Sequence, residues 1–208
     1  MDVRASYDSA AEAYADHLFR ELEGKPLDRH LLNRFAEAVK RGVIADLGCG
    51  PGHVAKYLHE HGASVVGIDI SLEMLRCASR LCPGVEFRVG DIRALDAPNA
   101  SFAGLISFYS IVHFAADELP PIFREWRRLI EPQGALLLGF HVGGEVVHRD
   151  DLWGQPVSLD FRFHRPVAVV TALESAGFAV TESCERAPYR EVEHPSRRCY
   201  VFATPAGG

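Results

Sequence analysis

The spacing of apolar residues changes character near residue 43. Before it, they recur at intervals of three and four, which predicts two helices over residues 7 to 41. Asp8 or Ser9 is the expected N-cap of the first helix, and the second is expected from about Pro26 to Lys40. The apolar face of the first helix is predicted to comprise Tyr7, Ala11, Tyr14, Leu18 and Leu22. The two helices predict an N-terminal helical cap.

From Ile44 onward, short apolar runs alternate with helical segments, which predicts a parallel sheet covered on both faces. The expected strands are 43–47, 65–69, 85–89, 103–108 and 135–140, and the expected helices are 53–61, 71–82 and 119–130. A Pro-Gln-Gly turn over 132–134 is expected before the fifth strand. The chain is thus predicted to be a doubly wound α/β domain.

The segment from His141 to Arg165 is too long for an ordinary connection. Its alternating pattern predicts a hairpin flap with Trp153-Gly154 near the turn. A last helix over 166–176 should end at Gly177, followed by two strands over 179–187 and 198–204. These strands predict an antiparallel C-terminal edge and complete an expected seven-stranded, mostly parallel, Rossmann-like sheet.

Composition narrows the class of protein. The 208 residues are expected to form one domain, and the net charge of −6 argues against nucleic acid as a partner. Arg124, Arg127 and Arg128 are expected on the solvated face of a helix. Five cysteines without C-x-x-C spacing favour reduced thiols in a cytoplasmic protein, and no run of about 18 apolar residues predicts a membrane span.

The most informative stretch runs from Val43 to Leu58 and reads VIADLGCGPGHVAKYL. A strand, a glycine-rich turn and a helix start would present backbone N–H groups to a ligand. In a dinucleotide fingerprint the third glycine would fall where His53 stands, which argues against an NAD-dependent oxidoreductase. The pattern is instead D-x-G-x-G-x-G, from Asp46 through Gly48 and Gly50 to position 52. A purely structural turn, with Asp46 as a local acceptor, stays open.

Polar residues also end the later strands. Ligands of open α/β sheets bind outside the carboxyl ends of the strands, where the strand order reverses. Six side chains are predicted to converge there: Asp46, Asp69, Asp91, Tyr109, His113 and His141.

The glycine pattern, followed in order by VVGID (65–69), VGDI (89–92) and AGLISFYSIVHF (103–114), resembles the class I S-adenosylmethionine-dependent methyltransferases over about the central half of the chain. The resemblance implies S-adenosylmethionine as cofactor, with S-adenosylhomocysteine as product. It places Gly48 and Gly50 against the methionine portion, Asp69 at the ribose and Phe108 near the sulfonium.

By the same resemblance, Ile70 would pack on the adenine, and Asp91 and Ile92 would address its edge. Asp46 would stiffen the loop and face the cofactor's amino group. Tyr14, in the segment Tyr7–Ala11–Tyr14, would belong to a lid over the methionine end, although packing as amphipathic core stays open for both tyrosines.

Methyl transfer from a sulfonium is an in-line displacement, so the protein chiefly aligns the acceptor and excludes water. An acceptor that carries a proton also needs a base, for which His113 is the first candidate and His141 the second; a positioning role is the alternative. Trp153, Phe161 and Phe163 would wall a small organic acceptor or pack in the core.

Other functions remain open. His141, Glu145 and His148 have metal-ligand side chains, but a flap does not hold them on one face, and no metal is expected. The protein is expected to act on O, N or C of a small molecule, without a nucleic-acid or membrane partner, as a monomer or homodimer. The main alternative is a protein that binds the cofactor or its product without methyl transfer, as a sensor or partner subunit. A protein or tRNA methyltransferase is a further possibility.

Overall fold

The computed structural model describes residues 2–39 and 41–207. The helices are α1 (Val3–Leu18), α2 (Pro26–Ala38), α3 (His53–Glu60), α4 (Leu72–Leu81), α5 (Leu119–Leu129) and α6 (Pro166–Ser175). The strands are β1 (Val43–Leu47), β2 (Ser64–Asp69), β3 (Glu86–Val89), β4 (Phe102–Phe108), β5 (Ile130–Val142), β6 (Val146–Leu152), β7 (Gln155–Arg162), β8 (Phe178–Arg186) and β9 (Arg197–Pro205).

Seven strands form one sheet in the order β3-β2-β1-β4-β5-β9-β8. Strand β1 lies parallel to β2 and β4, and β4 lies parallel to β5. The C-terminal hairpin completes one side of the sheet, with β9 antiparallel to both β5 and β8. The predicted mostly parallel, doubly wound sheet with an antiparallel C-terminal edge is confirmed. The strand order reverses between β1 and β4, which is where such sheets bind ligands.

The sheet is covered on both faces, as the near-continuous apolar strands predict. One apolar cluster joins its strands to Phe123 and Trp126 of α5 and Leu173 of α6. The other joins them to Phe35 of α2 and Leu58 of α3. Helix α2 therefore packs directly on one face of the sheet, whereas α1 does not.

Helix α1 packs between the sheet domain and the flap. Its residues Ala11 and Ala15 pack against Met74 and Cys77 of α4. On another side, Ala10 packs against Val157 and Leu159 of the flap. The flap is the predicted hairpin, formed by β6 and β7 with Trp153-Gly154 at its turn. The N-terminal helix thus lies between α4 and the flap and contacts both.

The predicted boundaries of the cap were wrong at two places. Helix α1 begins at Val3, because Asp2 caps it by accepting a hydrogen bond from the Ala5 amide (2.7 Å). Asp8, a predicted cap, lies inside the helix and accepts a hydrogen bond from the Ser71 hydroxyl (2.6 Å). The helix also ends at Leu18, so Leu22 lies in a separate 3₁₀ turn over Glu21–Gly24. Helix α2 ends at Ala38, and Lys40, its predicted end, lies outside the described residues.

The predicted turn over residues 132–134 was also wrong. Strand β5 begins at Ile130, directly after α5, and includes all three residues. The pairing shifts there: Phe102 lies opposite Ile130, but Gly104 lies opposite Ala135. The extra residues are accommodated as a bulge in a paired strand, so the chain needs no separate turn.

Among the described residues, none of the helices combines the length and apolar character needed to cross a membrane.

Gly67 gives a direct test of the packing beneath the glycine-rich turn. A Cβ atom there would lie 2.5 Å from the Phe87 ring and 2.9 Å from the Cys49 sulfur. Gly67→Ala should therefore lower the free energy of unfolding by about 1–3 kcal/mol, the usual cost of overpacking, as measured by urea denaturation.

Ser64→Ala, at the exposed first residue of the same strand, is the matched control and should change the midpoint little. Adding Phe87→Leu to Gly67→Ala should recover part of the loss. An unchanged unfolding midpoint in Gly67→Ala would contradict the packing described here.

Candidate active site

The glycine-rich turn between β1 and α3 brings its main chain close to the end of β2. The Gly48 and Cys49 amides donate to the Ile68 carbonyl at 2.8 and 3.0 Å. Gly48 has φ of 75° and Gly50 has φ of 52°, a left-handed conformation that glycine adopts without strain. A Cβ atom on Gly48 would also lie 2.5 Å from that of Ser110. The turn therefore requires glycine for both its backbone conformation and its close packing.

The Asp69 carboxylate connects this turn to the next helix. One oxygen, Oδ2, accepts a hydrogen bond from the Gly50 amide (2.8 Å), and Oδ1 accepts one from the Ser71 amide (2.9 Å). Burial raises the pKa of Asp69, and these amide hydrogen bonds oppose the increase. Ser71 in turn caps α4 by accepting from the Met74 amide (3.1 Å). Asp69 thus fixes the position of the turn relative to α4.

A cavity of about 400 Å³ opens above this turn at the strand ends. Eight of the nine predicted cofactor-binding residues line it: Tyr14, Gly48, Gly50, Asp69, Ile70, Asp91, Ile92 and Phe108. Tyr109 and His113, which follow β4, line it as well. We call it the first cavity.

Asp46 does not line the first cavity. Its side chain is buried, and its Oδ2 atom has no hydrogen-bond partner among the described residues. Burial raises the pKa of Asp46 to about 7. Asp46 therefore lies within β1, behind the main chain of the turn, and its side chain does not face the cavity.

Arg93 is a charged residue of the first cavity that sequence reasoning missed. Its guanidinium bonds both oxygens of Asp91, at 3.0 Å from Nε and 2.6 Å from Nη2. This hydrogen bonding lowers the pKa of Asp91. The Asp91 carboxylate therefore stays ionised while it shares its oxygens with Arg93.

His113 forms a hydrogen bond with a tyrosine of α1. The Tyr7 hydroxyl lies 2.8 Å from His113 Nε2. Burial raises the pKa of Tyr7 and lowers the pKa of His113 to about 4. At neutral pH Tyr7 therefore keeps its proton and His113 is neutral; in the tautomer with Nε2 unprotonated, the Tyr7 hydroxyl donates a hydrogen bond to Nε2. The other ring nitrogen of His113 has no partner among the described residues.

A second cavity, also of about 400 Å³, adjoins the first. The two share three lining residues, Tyr7, Tyr14 and Tyr109. The aromatic residues predicted to wall an acceptor all line the second cavity: Trp153, Phe161 and Phe163. Trp153 lies edge-on to Tyr14, with ring centroids 5.6 Å apart. The flap and α1 thus line part of the second cavity, and the three tyrosines lie where the two cavities meet.

His141 lines the second cavity and not the first. Its pKa is lowered to about 3, mainly by burial and secondly by the positive charge of Arg198. The two candidate bases therefore lie in different cavities, with only His113 among the predicted cofactor-binding residues. Sequence reasoning placed them on one rim because it ended the fifth strand at residue 140, but β5 continues to Val142 and includes His141.

Tyr109 is held in a strained conformation at the junction. Its φ of 60° lies in the left-handed region, which a bulky residue rarely adopts. Its hydroxyl contacts that of Tyr200 at 3.1 Å and a carboxylate oxygen of Asp28 at 3.4 Å. The fully buried Asp28 also pairs with Arg186, at 2.9 Å. This buried network, which sequence reasoning missed, fixes the Tyr109 ring between the cavities.

Comparison with known proteins agrees with this geometry. Residues 44–134 match a family model described as a methyltransferase domain. A malonyl-[acyl-carrier protein] O-methyltransferase of Pseudescherichia vulneris is 27% identical over 162 residues, which cover 78% of this chain and 61% of that protein. A trans-aconitate 2-methyltransferase of Azoarcus is 39% identical over 101 residues, or 46% of this chain and 38% of that protein. Residues 44–134 of the chain are thus similar to a methyltransferase domain, in agreement with the expected class I S-adenosylmethionine-dependent methyltransferase.

Solved structures of methyltransferases share the fold of this chain. The CcbJ methyltransferase of Streptomyces caelestis superposes with a TM-score of 0.75 at 18% identity, over 100% of both chains. The DhpI–SAH complex superposes with a TM-score of 0.74 at 21% identity, over 98% of this chain and 95% of that one. The chain spans only 51–61% of the length of the first three curated relatives.

Within the described part of the chain, no group of three or more His, Cys, Asp or Glu residues is arranged to hold a metal ion. The three flap-region residues with metal-ligand side chains have other partners. His148 Nδ1 lies 2.8 Å from the Asp160 carboxylate. Glu145 accepts a hydrogen bond from the Gly144 amide at 2.8 Å, and His141 bonds Ser196 at 2.7 Å.

The buried state of His113 can be tested by NMR titration of its imidazole nitrogens. The ring should stay neutral from pH 8 to about pH 5, because its folded pKa of about 4 lies below the ordinary value near 6.5. His59→Asn and His113→Asn spectra would assign the signals, with His59 serving as the comparison. A His113 midpoint near pH 6.5 in the folded protein would contradict the burial described here.

Proposed function

We propose that this protein transfers a methyl group from S-adenosylmethionine to O, N or C of a small organic acceptor. The observation that carries the proposal is the pair of adjoining cavities that meet at Tyr7, Tyr14 and Tyr109. Eight predicted cofactor residues line one cavity, and aromatic side chains wall the other. A protein that only bound the cofactor would need no second cavity at this junction. The O-methyltransferase names of several relatives favour oxygen as the methylated atom.

The first cavity suits an adenosyl ligand. The main chain of Gly48 and Gly50 would lie against the methionine portion, and Asp69 would accept hydrogen bonds from the ribose hydroxyls. Each Asp69 oxygen has one amide donor and keeps capacity for another. Ile70 and Ile92 would contact the adenine, Asp91 would address its edge, and Phe108 would lie near the sulfonium.

When bound, the cofactor would supply an activated methyl group whose leaving thioether is neutral. The chain's residues then have two tasks: to align the acceptor with the methyl carbon and to exclude water. The flap and α1 serve both, since they enclose the second cavity on the side away from the sheet.

His113 is the better placed of the two candidate bases. Tyr7 lines both cavities and donates to His113 Nε2, so a proton from the acceptor would pass to the Tyr7 oxygen while the phenolic proton moves to His113. A pKa of about 4 makes His113 a weak base, which limits this role to acceptors that ionise readily. His141, in the second cavity, would contact the acceptor instead.

The setting of the protein is also part of the proposal. All five cysteines are free thiols, and four of them are buried, which supports a reducing, cytoplasmic location. The net charge of −6 supports a small-molecule acceptor over nucleic acid. We propose a monomer or homodimer that works without a membrane partner.

Calorimetry with S-adenosylhomocysteine tests the cofactor site. The protein should bind this product, and Asp69→Ala should weaken binding at least tenfold, or by about 1.4 kcal/mol, because a charge-assisted hydrogen bond is lost. Asp69→Asn keeps an oxygen for one amide and should have a smaller effect.

Asp96→Ala replaces an exposed aspartate outside the cavity and should leave the affinity unchanged. Unchanged affinity in Asp69→Ala would remove Asp69 from the binding site. If the wild-type protein binds neither S-adenosylhomocysteine nor S-adenosylmethionine, the proposed function is wrong.

A further inference from the structure

Arg198 is a buried cation with unused hydrogen-bond donors in the second cavity. Its side chain is 2% exposed and lines that cavity. One terminal nitrogen, Nη1, donates to the His194 carbonyl (2.6 Å), to the Ser196 carbonyl and to the Ser196 hydroxyl (3.0 Å). Nε has no hydrogen-bond partner, and no bond from Nη2 is found among the described residues. Buried donors are normally satisfied, so the Nη2 donors are available to an acceptor atom that enters the cavity.

His141 presents a second unused donor beside Arg198. Its Nδ1 lies 2.7 Å from the Ser196 hydroxyl, which already accepts from Arg198 Nη1. The hydroxyl's own proton is therefore available to Nδ1, and the arrangement that satisfies all three groups places the imidazole proton on Nε2. Nε2 bonds no described residue. The neutral His141 ring thus donates toward the cavity rather than accepting.

The buried carboxylates near Arg198 already have other partners. Glu193 accepts from Arg186 and from the Tyr189 amide (2.7 Å), and Lys25 lies 3.5 Å away. Its Oε2 is 3.3 Å from Arg198 Nε, but outside hydrogen-bond geometry. Its charge is thus shared among three cations, which leaves Arg198 the least engaged of them.

The remaining charges around the cavity are also accounted for. Glu21 pairs with Lys25 (2.7 Å) and lies 3.1 Å from His53. At the rim, Asp151 accepts a hydrogen bond from the Gly154 amide at 3.1 Å, and Arg149 forms no ion pair with a described residue. Apart from the carboxylates already engaged, the charged residues that line the cavity are the cations Lys25, Arg149 and Arg198.

We infer that the methyl acceptor carries a carboxylate, and that this carboxylate binds to Arg198 and His141 in the second cavity. The terminal nitrogen Nη2 of Arg198 has N–H groups that no described residue accepts from, and His141 Nε2–H adds another donor for the carboxylate. This inference rests on the proposed function, because it assigns the second cavity to the acceptor.

The position of this carboxylate site fits an acceptor that reaches the first cavity. His141 lies beside Tyr109, with ring centroids 5.0 Å apart, and Arg198 Cζ lies 5.9 Å from the same ring. Tyr109 lines both cavities. His141 also stacks on Phe163 at 4.9 Å, so an apolar or aromatic body would continue from the carboxylate along an aromatic wall.

A matched pair of probes tests the inference. Phenylacetate and its neutral analogue phenylacetamide are titrated by calorimetry into protein saturated with S-adenosylhomocysteine. Phenylacetate should bind at least tenfold more tightly, a difference of about 1.4 kcal/mol. Arg198→Gln should abolish this preference. Arg197→Gln, which removes the neighbouring exposed arginine paired with Glu185, should preserve it.

Arg198 is buried, so its variant must first be shown to keep its thermal midpoint and its affinity for S-adenosylhomocysteine. His141→Phe is the second variant: it keeps the ring that stacks on Phe163, removes the donor, and should reduce the preference at least threefold.

Several outcomes would overturn the inference. Equal affinity for acid and amide in the wild-type protein is one, whatever the variants do. An unchanged preference in folded Arg198→Gln, or no binding of either probe up to about 10 mM, would also contradict it. Absence of S-adenosylhomocysteine binding would instead count against the proposed function, so the two failures are distinguishable.

Discussion

The two hydrogen bonds of the Asp69 carboxylate determine the geometry of the site. They fasten the Gly50 amide and the Ser71 amide to the end of one strand, so the glycine-rich turn and the start of α4 have a fixed relation. Both donors belong to main chain, which no side-chain rotation can withdraw. Because the turn contains glycines in left-handed conformations, its main chain faces the first cavity directly. A ligand in that cavity would contact this main chain and the carboxylates of Asp69 and Asp91.

The second half of the site depends on elements outside the parallel sheet. Helix α1 contributes Tyr7 and Tyr14, and the flap contributes Trp153 and Phe161. Tyr109 joins Tyr7 and Tyr14 at the boundary between the two cavities. Its backbone is strained, and its hydroxyl contacts the Asp28 carboxylate. A rigid junction of this kind would orient an acceptor without contributing much chemistry of its own. Such an arrangement suits methyl transfer, in which alignment is the main requirement.

Sequence reasoning succeeded where a short pattern determines a local geometry. Gly48, Gly50, Asp69 and Asp91 all line the first cavity, because the carboxyl ends of neighbouring parallel strands meet at one edge of the sheet. The flap and its turn at Trp153 also followed from alternation and connection length. Asp46 was the exception among the acids: a residue two positions before the first glycine is still inside the strand, and its side chain is buried there.

Reasoning from the sequence alone could not bring together residues from distant segments. Arg198 lies on β9, Lys25 precedes α2, and both reach the second cavity only through the tertiary fold. The separation of His113 from His141 has the same origin, since the packing of α1 against the flap is not encoded in the strand pattern. One signal was available: Arg198 and Tyr200 share a face of a strand rich in apolar residues, where a charged side chain needs buried partners.

A crystal structure with S-adenosylhomocysteine bound would test the central claim most directly. We expect the ribose hydroxyls to contact Asp69, and the sulfur to face the wall formed by Tyr7, Tyr14 and Tyr109. Binding of the ligand in the second cavity, or in the first cavity with its ribose away from Asp69, would contradict this account.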